Sequence, residues 1–375
     1  MTPAYPPWPA RDILRPLPAK PRRRIVAALA CLGAVAGPPG APDLFLSSAL
    51  ATEASDERRG SRAKKARTPH AKPPAPAPAA LADRRTVATA PAPAPPTFYS
   101  MNQLGDHLWS VRWELAAVGG ALAVIGFKDW GWGDSGFKFI EEGYFAKNTR
   151  HGGMDKIGHA FSTFVIADLI TDRIRANAAD PTGAQITGAL VAFGIMGLAE
   201  TLDGFAGRHR FSREDIAANA VGAAFSMIRN TIPGMREKLD WRLMYTPSNY
   251  ERPGITTADG GFLPTYERQR YVMALKGSGF ASLKSTPLRY VELHAGFDVR
   301  GFEKKERALG YPIERTFYVG VGLNLNEVLF GQGALPNLSK HKDTLPAKLA
   351  QKTFEYIQVP YTAIYAGNRF STIRR

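Results

Sequence analysis

Four segments of the chain are apolar with helical composition, at about 108–127, 155–174, 184–202 and 213–230, and each predicts a helix. The links 176–183 and 204–212 are short, so consecutive helices are expected to run antiparallel. Beyond Pro247 the pattern changes to alternation. Val291, Leu293, Ala295, Phe297 and Val299 are apolar, with Glu292, His294, Gly296 and Asp298 between them. Phe317, Val319, Val321, Leu323 and Leu325 repeat the pattern against Gly320, Gly322, Asn324 and Asn326. Two antiparallel strands joined by the 302–314 loop are expected, with 271–275 as a candidate third. Outer-membrane strands alternate in the same way, but a closed barrel takes at least about eight of them. The expected fold class is mainly α: an antiparallel helical bundle of about four apolar helices, then a small antiparallel β hairpin or sheet packed on it, behind a disordered N-terminal arm. On this reading His294 is a solvent-facing strand residue.

Composition adds the arm. The 375 residues carry a formal net charge of +15, and residues 1–100 hold 15 Lys/Arg against 6 Asp/Glu and 19 of the 29 prolines. Such a segment buries too little apolar surface to offset its conformational entropy, so folding is expected to begin near residue 101. Within the arm, Arg22-Arg23-Arg24 precedes an apolar run at 25–37, and Ala49-Leu50-Ala51 follows. This is the layout of an export signal with a small-residue cleavage site. Only six residues separate Cys31 from Arg24, and Ala28-Leu29-Ala30 puts no large aliphatic at the usual distance, so a lipid-attachment reading of Cys31 is weak. The organisation expected is a basic arm and export signal at 1–51, an Ala/Pro/Lys-rich linker at 52–100, a helical domain at 101–246 and a β-containing region at 247–375.

Several function classes fall away. With Cys31 the only cysteine, no intrachain disulfide or cysteine metal cluster can form. The basic group Arg58, Arg59, Arg62, Lys64, Lys65 and Arg67 has no interleaved aromatic residue, so nucleic-acid binding is not expected. No P-loop, dinucleotide-binding glycine pattern, G-x-S-x-G elbow or H-E-x-x-H helix occurs. The uncharged run 115–127 has 13 residues, short of the roughly 18 to 20 that a span requires, so the helices read as buried or interface-seated. Trp130, Trp132, Phe137, Phe139, Tyr144 and Phe145 fit either a membrane-interface belt or a loop packed on the helices.

Polar residues on these helices carry the candidate chemistry. Asp155, His159 and Ser162 lie at i, i+4 and i+7, Glu200 and Asp203 close the next helix, and Asp215, Asn219, Gly222 and Ser226 open the one after. Antiparallel order gathers them at one end of the helices, with Lys156, Arg208, His209 and Arg210 as counter-charges. The acids and one imidazole suit a divalent metal, with His159, Glu200 and Asp203 as the possible ligands, or general acid/base work. A structural account is also open: Ser212-Arg213-Glu214-Asp215 as a capping pattern and Glu200 paired with Arg210.

The runs Asp155-Lys156-Ile157-Gly158-His159-Ala160-Phe161 and Glu200-Thr201-Leu202-Asp203-Gly204-Phe205, and the segment 211–222 with Asp215, Asn219 and Gly222, resemble the YfiM-like family of bacterial periplasmic or envelope proteins of unknown function. VanZ-like membrane proteins share the D-K-x-x-H, E, D and D-x-x-x-N-x-x-G elements. They usually have E-x-x-Q where this chain has Glu200 to Asp203, and their spans are longer. The likeness covers about 70 residues and continues weakly through 318–325 and Val359-Pro360-Tyr361. It implies a location in the cell envelope and no reaction. The expectation is an exported envelope protein whose partner is membrane lipid or an envelope component, with a binding or structural role; the alternative is a membrane-surface enzyme acting on a lipid-linked or glycan substrate.

Overall fold

A computed structural model describes residues 99–145, 149, 151–207, 209–245, 266–302, 304–331 and 340–372. The export signal, Cys31 and nearly all of the linker lie outside the described residues. In chain order the elements are α1 (Met101–Ser110), α2 (Arg112–Ile125), β1 (Phe139–Ile140), α3 (Met154–Asn177), α4 (Ala184–Asp203), β2 (Phe211–Ser212), α5 (Arg213–Thr231), α6 (Met235–Lys238), β3 (Leu239–Tyr245), β4 (Gln269–Lys276), β5 (Val291–Arg300), α7 (Lys304–Ala308), β6 (Ile313–Leu323), α8 (Leu325–Phe330), α9 (Leu345–Tyr356) and β7 (Ala363–Thr372).

Helices α3, α4 and α5 pack on one another. Gly222 lets α5 approach α3 closely, because a Cβ there would lie 1.9 Å from the Ala160 carbonyl oxygen. Buried His107 docks α1, bonding Thr187 Oγ1 at 2.7 Å and the Asp180 carbonyl at 2.8 Å. Arg173 on α3 donates to Glu114 on α2. Among the described residues, α4 is long and apolar enough to cross a membrane by length and composition, and α1 with Arg112–Trp130 passes the same test as a pair bent by 71°.

The β part corrects the expected fold class. Strands β3 to β7 form one five-stranded antiparallel sheet in sequential order, and β1 and β2 pair in parallel, so the fold is mixed α and β rather than a bundle with a small hairpin. The first strand, β3, falls before the expected boundary at 246. Its core-side partners are aromatic: Trp241 stacks on Phe164 at 5.8 Å and meets Phe161 and Phe225 edge-on. Met154, Phe161, Phe164, Tyr271, Phe297, Val299, Phe302 and Tyr356 make the shared core.

The sheet's two faces differ: the one carrying Trp241, Tyr271 and Phe297 is apolar and packs on the helices, and the opposite one carries buried charge. Glu292, His294 and Asp298 are buried, as are Asp240 and Arg242 on β3, whereas Leu293, Phe317, Val319 and Val321 are exposed. His294 is therefore not a solvent-facing residue: it bonds Tyr365 Oη at 2.9 Å and Glu292 at 3.1 Å. The period shows which residues share a face. The charged face is buried because its charges have partners, which is the condition for burying them; the apolar face is covered by the helices at Trp241, Tyr271 and Phe297 and exposed at Leu293, Val319 and Val321.

Candidate functional site

Local signals place each piece of the polar cluster. Gly152 and Gly153, with φ of +64° and +95°, turn the chain into α3, whose first turn carries Asp155 and Lys156 and whose second carries His159. The Ser212 hydroxyl accepts from the Asp215 N–H and caps α5, as the capping pattern predicts, leaving Glu214 and Asp215 in a first turn whose dipole favours anions. Pairing of β1 with β2 runs the 139–145 segment past both helix starts and delivers Glu142.

Lys156 is the centre of the cluster. Its Nζ lies 2.7 Å from Asp215 Oδ1 and 3.0 Å from Asp155 Oδ2 and donates to Glu142. Tyr266 donates its hydroxyl hydrogen to Asp155 Oδ1 at 2.5 Å. His159 Nε2 stands 3.9 Å from Asp155 Oδ1 and 3.8 Å from Asp215 Oδ1, beyond hydrogen-bond reach of either. A small recess of about 10 Å³ borders Asp155 and Lys156, lined also by Glu142, Tyr144, Thr149 and His151.

The electrostatics follow from burial and charge count. Burial alone would raise the Asp155 carboxyl, but His159, Lys156 and the Tyr266 hydroxyl outweigh it and hold it below the ordinary range. Asp215 and Glu142 are raised, burial leading in both and the neighbouring Asp155 charge adding to it. Those same anions raise Lys156 against its own desolvation.

Not every expected member joins. Glu200, 2% exposed, accepts the Ser212 backbone N–H at 2.6 Å, and burial followed by the Asp215 charge pushes its carboxyl up to about 8. The expected Glu200–Arg210 pair is replaced by that backbone bond, because the start of β2 turns Arg210 out to solvent. Asp203 accepts from Trp132 Nε1 at 2.6 Å, and burial raises its carboxyl. Asn219 Oδ1 meets the Thr163 hydroxyl at 2.9 Å, one turn below His159. Arg208 lies outside the described residues. Asp155, His159 and Asp215 are the acids and imidazole whose ligand atoms all fall within 4.8 Å of one another. Sequence reasoning misses Glu142 and Tyr266. Tyr266 comes from 111 residues away, and no local signal marks either.

A second charged network, also missed, joins helices to sheet. Arg229 of α5 donates to Asp168 of α3 and Asp240 of β3; Arg242 donates to Asp240 and Glu292, and the Tyr356 hydroxyl donates to Asp168. The signal available was charge at alternate positions of the strand 239–245.

Fold and site together define a mixed α and β protein with a polar cluster at one end of three packed helices and an apolar sheet face that those helices cover only in part. Residues 141–231, which hold α3, α4, α5 and most of the cluster, match the model of a family described as predicted periplasmic lipoprotein (DUF2279). The match agrees with the location expected from sequence, and the protein is one of the cell envelope. It supports a periplasmic family of unknown function rather than the YfiM-like or VanZ-like names. No curated protein and no solved structure matches the chain.

Proposed function

We propose that this exported envelope protein is seated on a lipid surface, where the part of its apolar sheet face that the helices leave uncovered and the neighbouring helix faces meet the acyl region and the polar cluster closes one end of the helices. The observation that carries the reading is that the sheet's apolar face, which packs on the helices through Trp241, Tyr271 and Phe297, continues past them as exposed apolar surface. Register aligns Leu275, Leu293, Val321 and Ile364 in one row across four strands, 39%, 57%, 53% and 84% exposed. The next row, Trp241, Met273, Ala295, Val319 and Ala366, is covered by the helices at Trp241 and exposed at its last three members. Beneath them Glu292, His294 and Asp298 are buried. An antiparallel sheet with one face in water normally turns its polar face outward, and lipid-facing sheets reverse this. Helix residues Trp109, Trp113, Val124 and Phe127, with Leu190, Leu198 and Val221, add exposed apolar surface. The resemblance of the three motifs to YfiM-like envelope proteins and VanZ-like membrane proteins fits this seat, as does the family's description. Within the reading the cluster has a binding or structural role. At about 10 Å³, room for roughly one water, the recess beside it is far smaller than the roughly 300 Å³ at which small-molecule sites begin, so a lipid-linked or glycan substrate gains no support from it.

Co-flotation of the full chain with phospholipid vesicles tests the proposal. The protein should float, Cys31→Ser should float equally because the apolar faces hold it, and Leu293→Asp with Val321→Asp should stay at the bottom with an unchanged circular dichroism spectrum. Flotation of the double aspartate variant at the native level would overturn the assignment of the sheet face.

A further inference from the structure

We propose that Asp155, His159 and Asp215 hold a divalent transition-metal ion of the zinc or manganese class, which one imidazole nitrogen and two carboxylate oxygens suit. The set differs from the one expected on sequence, since Glu200 is engaged by the Ser212 N–H and Asp203 by Trp132. It stands independently of the lipid seat.

Geometry is the first support. His159 Nε2 faces Asp155 Oδ1 at 3.9 Å and Asp215 Oδ1 at 3.8 Å, and all the ligand atoms lie within 4.8 Å of one another. Ligands about 2.1 Å from a shared ion stand roughly 3.0 to 3.4 Å apart, so side-chain adjustments of under about 1 Å close the His159 contacts. The second support is an imidazole with no committed hydrogen bond. His159 Nδ1 is buried without a hydrogen-bond partner, and Nε2 has only those two long contacts. Asp215 is 4% exposed, and its Oδ1, the atom aimed at His159, is paired with the Lys156 ammonium 2.7 Å away, so an ion would share that oxygen with Lys156.

Charge is the third support. Glu142, Asp155 and Asp215 surround the single ammonium of Lys156, an excess of carboxyl groups over fixed positive charge. Charges taken out of water must be compensated, and a divalent ion offsets this excess. Asp155 is built for both cations: Oδ2 meets Lys156, while Oδ1 faces His159 and takes the Tyr266 hydrogen bond, which fixes the carboxylate plane.

The test is calorimetric titration of the detergent-solubilised, EDTA-stripped full chain with Zn²⁺ and with Mn²⁺, and of the same protein with Co²⁺ followed by visible absorption. One ion should bind per chain, and Co²⁺ should develop ligand-field bands. His159→Ala and Asp215→Asn should each weaken binding at least tenfold, whereas Asp203→Asn should leave it within twofold. Absence of stoichiometric binding to the unmutated, folded protein would overturn the proposal. Equal affinity in His159→Ala, or in Asp155→Asn where His159→Ala does not fold, would overturn it too.

Discussion

Arg229 is the strongest single tie between the helices and the sheet. Its side chain is 1% exposed; Nη1 donates to Asp168 at 2.9 Å, Nη2 to Asp240 at 2.8 Å and Nε to the Leu239 carbonyl at 2.8 Å. Around it Asp168, Asp172, Asp240, Glu292 and Glu355 meet Arg229, Arg236, Arg242, Lys276 and Lys352, with Arg175 at the edge 4.0 Å from Asp172. Arg229→Met keeps apolar contact with Phe164 but leaves buried Asp168 and Asp240 without the guanidinium between them. Removing one partner from a buried pair costs about 3 to 5 kcal/mol, and an orphaned carbonyl adds about 1 to 3. Asp240 keeps Lys276 at 2.7 Å and Arg242 at 2.6 Å, and Asp168 keeps the Tyr356 hydroxyl, so the loss should settle near 4 kcal/mol. That is a large part of the roughly 5 to 15 kcal/mol that holds a protein folded. Asp168→Asn in the same chain removes one of the two carboxylates that lose the guanidinium, so the double variant should fall short of the summed singles by about 2 kcal/mol. Urea unfolding in detergent, followed by tryptophan fluorescence, reads both, because Trp241 stacks on Phe164 beside Arg229. A cost below about 1 kcal/mol, or strict additivity, would refute the weld.

Two further expectations concern the helices. Glu200 keeps its proton in the folded state up to about pH 8 but loses it near the ordinary 4.5 when unfolded, so its contribution is full below pH 4.5 and declines as pH rises through 8. The slope is about 1.4 kcal/mol per pH unit, and Glu200→Gln in EDTA should flatten stability across that window; an unchanged slope in urea titrations at pH 5, 6 and 7 would count against the buried neutral acid. Gly222→Ala should cost about 3 kcal/mol, since the new methyl meets the rigid Ala160 carbonyl at 1.9 Å. Gly119→Ala, with open space around it, should gain about 0.5 to 1 kcal/mol from helix propensity, and equal thermal shifts for the two would contradict the close crossing.

The three central helices were legible because their signals are local. Expected at 155–174, 184–202 and 213–230, they are observed at Met154–Asn177, Ala184–Asp203 and Arg213–Thr231, with the Ser212 cap where the pattern put it. Short links then brought Asp155, His159 and Asp215 to one end, since spacing on a helix and a reversal of direction suffice for that. Local pattern went no further for the site. Glu142 and Tyr266 reach it through a two-residue parallel pairing and a distant loop, which no periodicity encodes. Strand β3 escaped notice because Asp240 and Arg242 sit where a core strand should be apolar, and their burial makes sense only with Arg229, Lys276 and Glu292 around them. Alternation along β5 and β6 determined which side chains share a face. That the charged face is buried, and how far the helices cover the apolar one, was decided by the tertiary structure alone, because it depends on whether distant chain segments supply a partner for every buried charge and a surface for the apolar side chains.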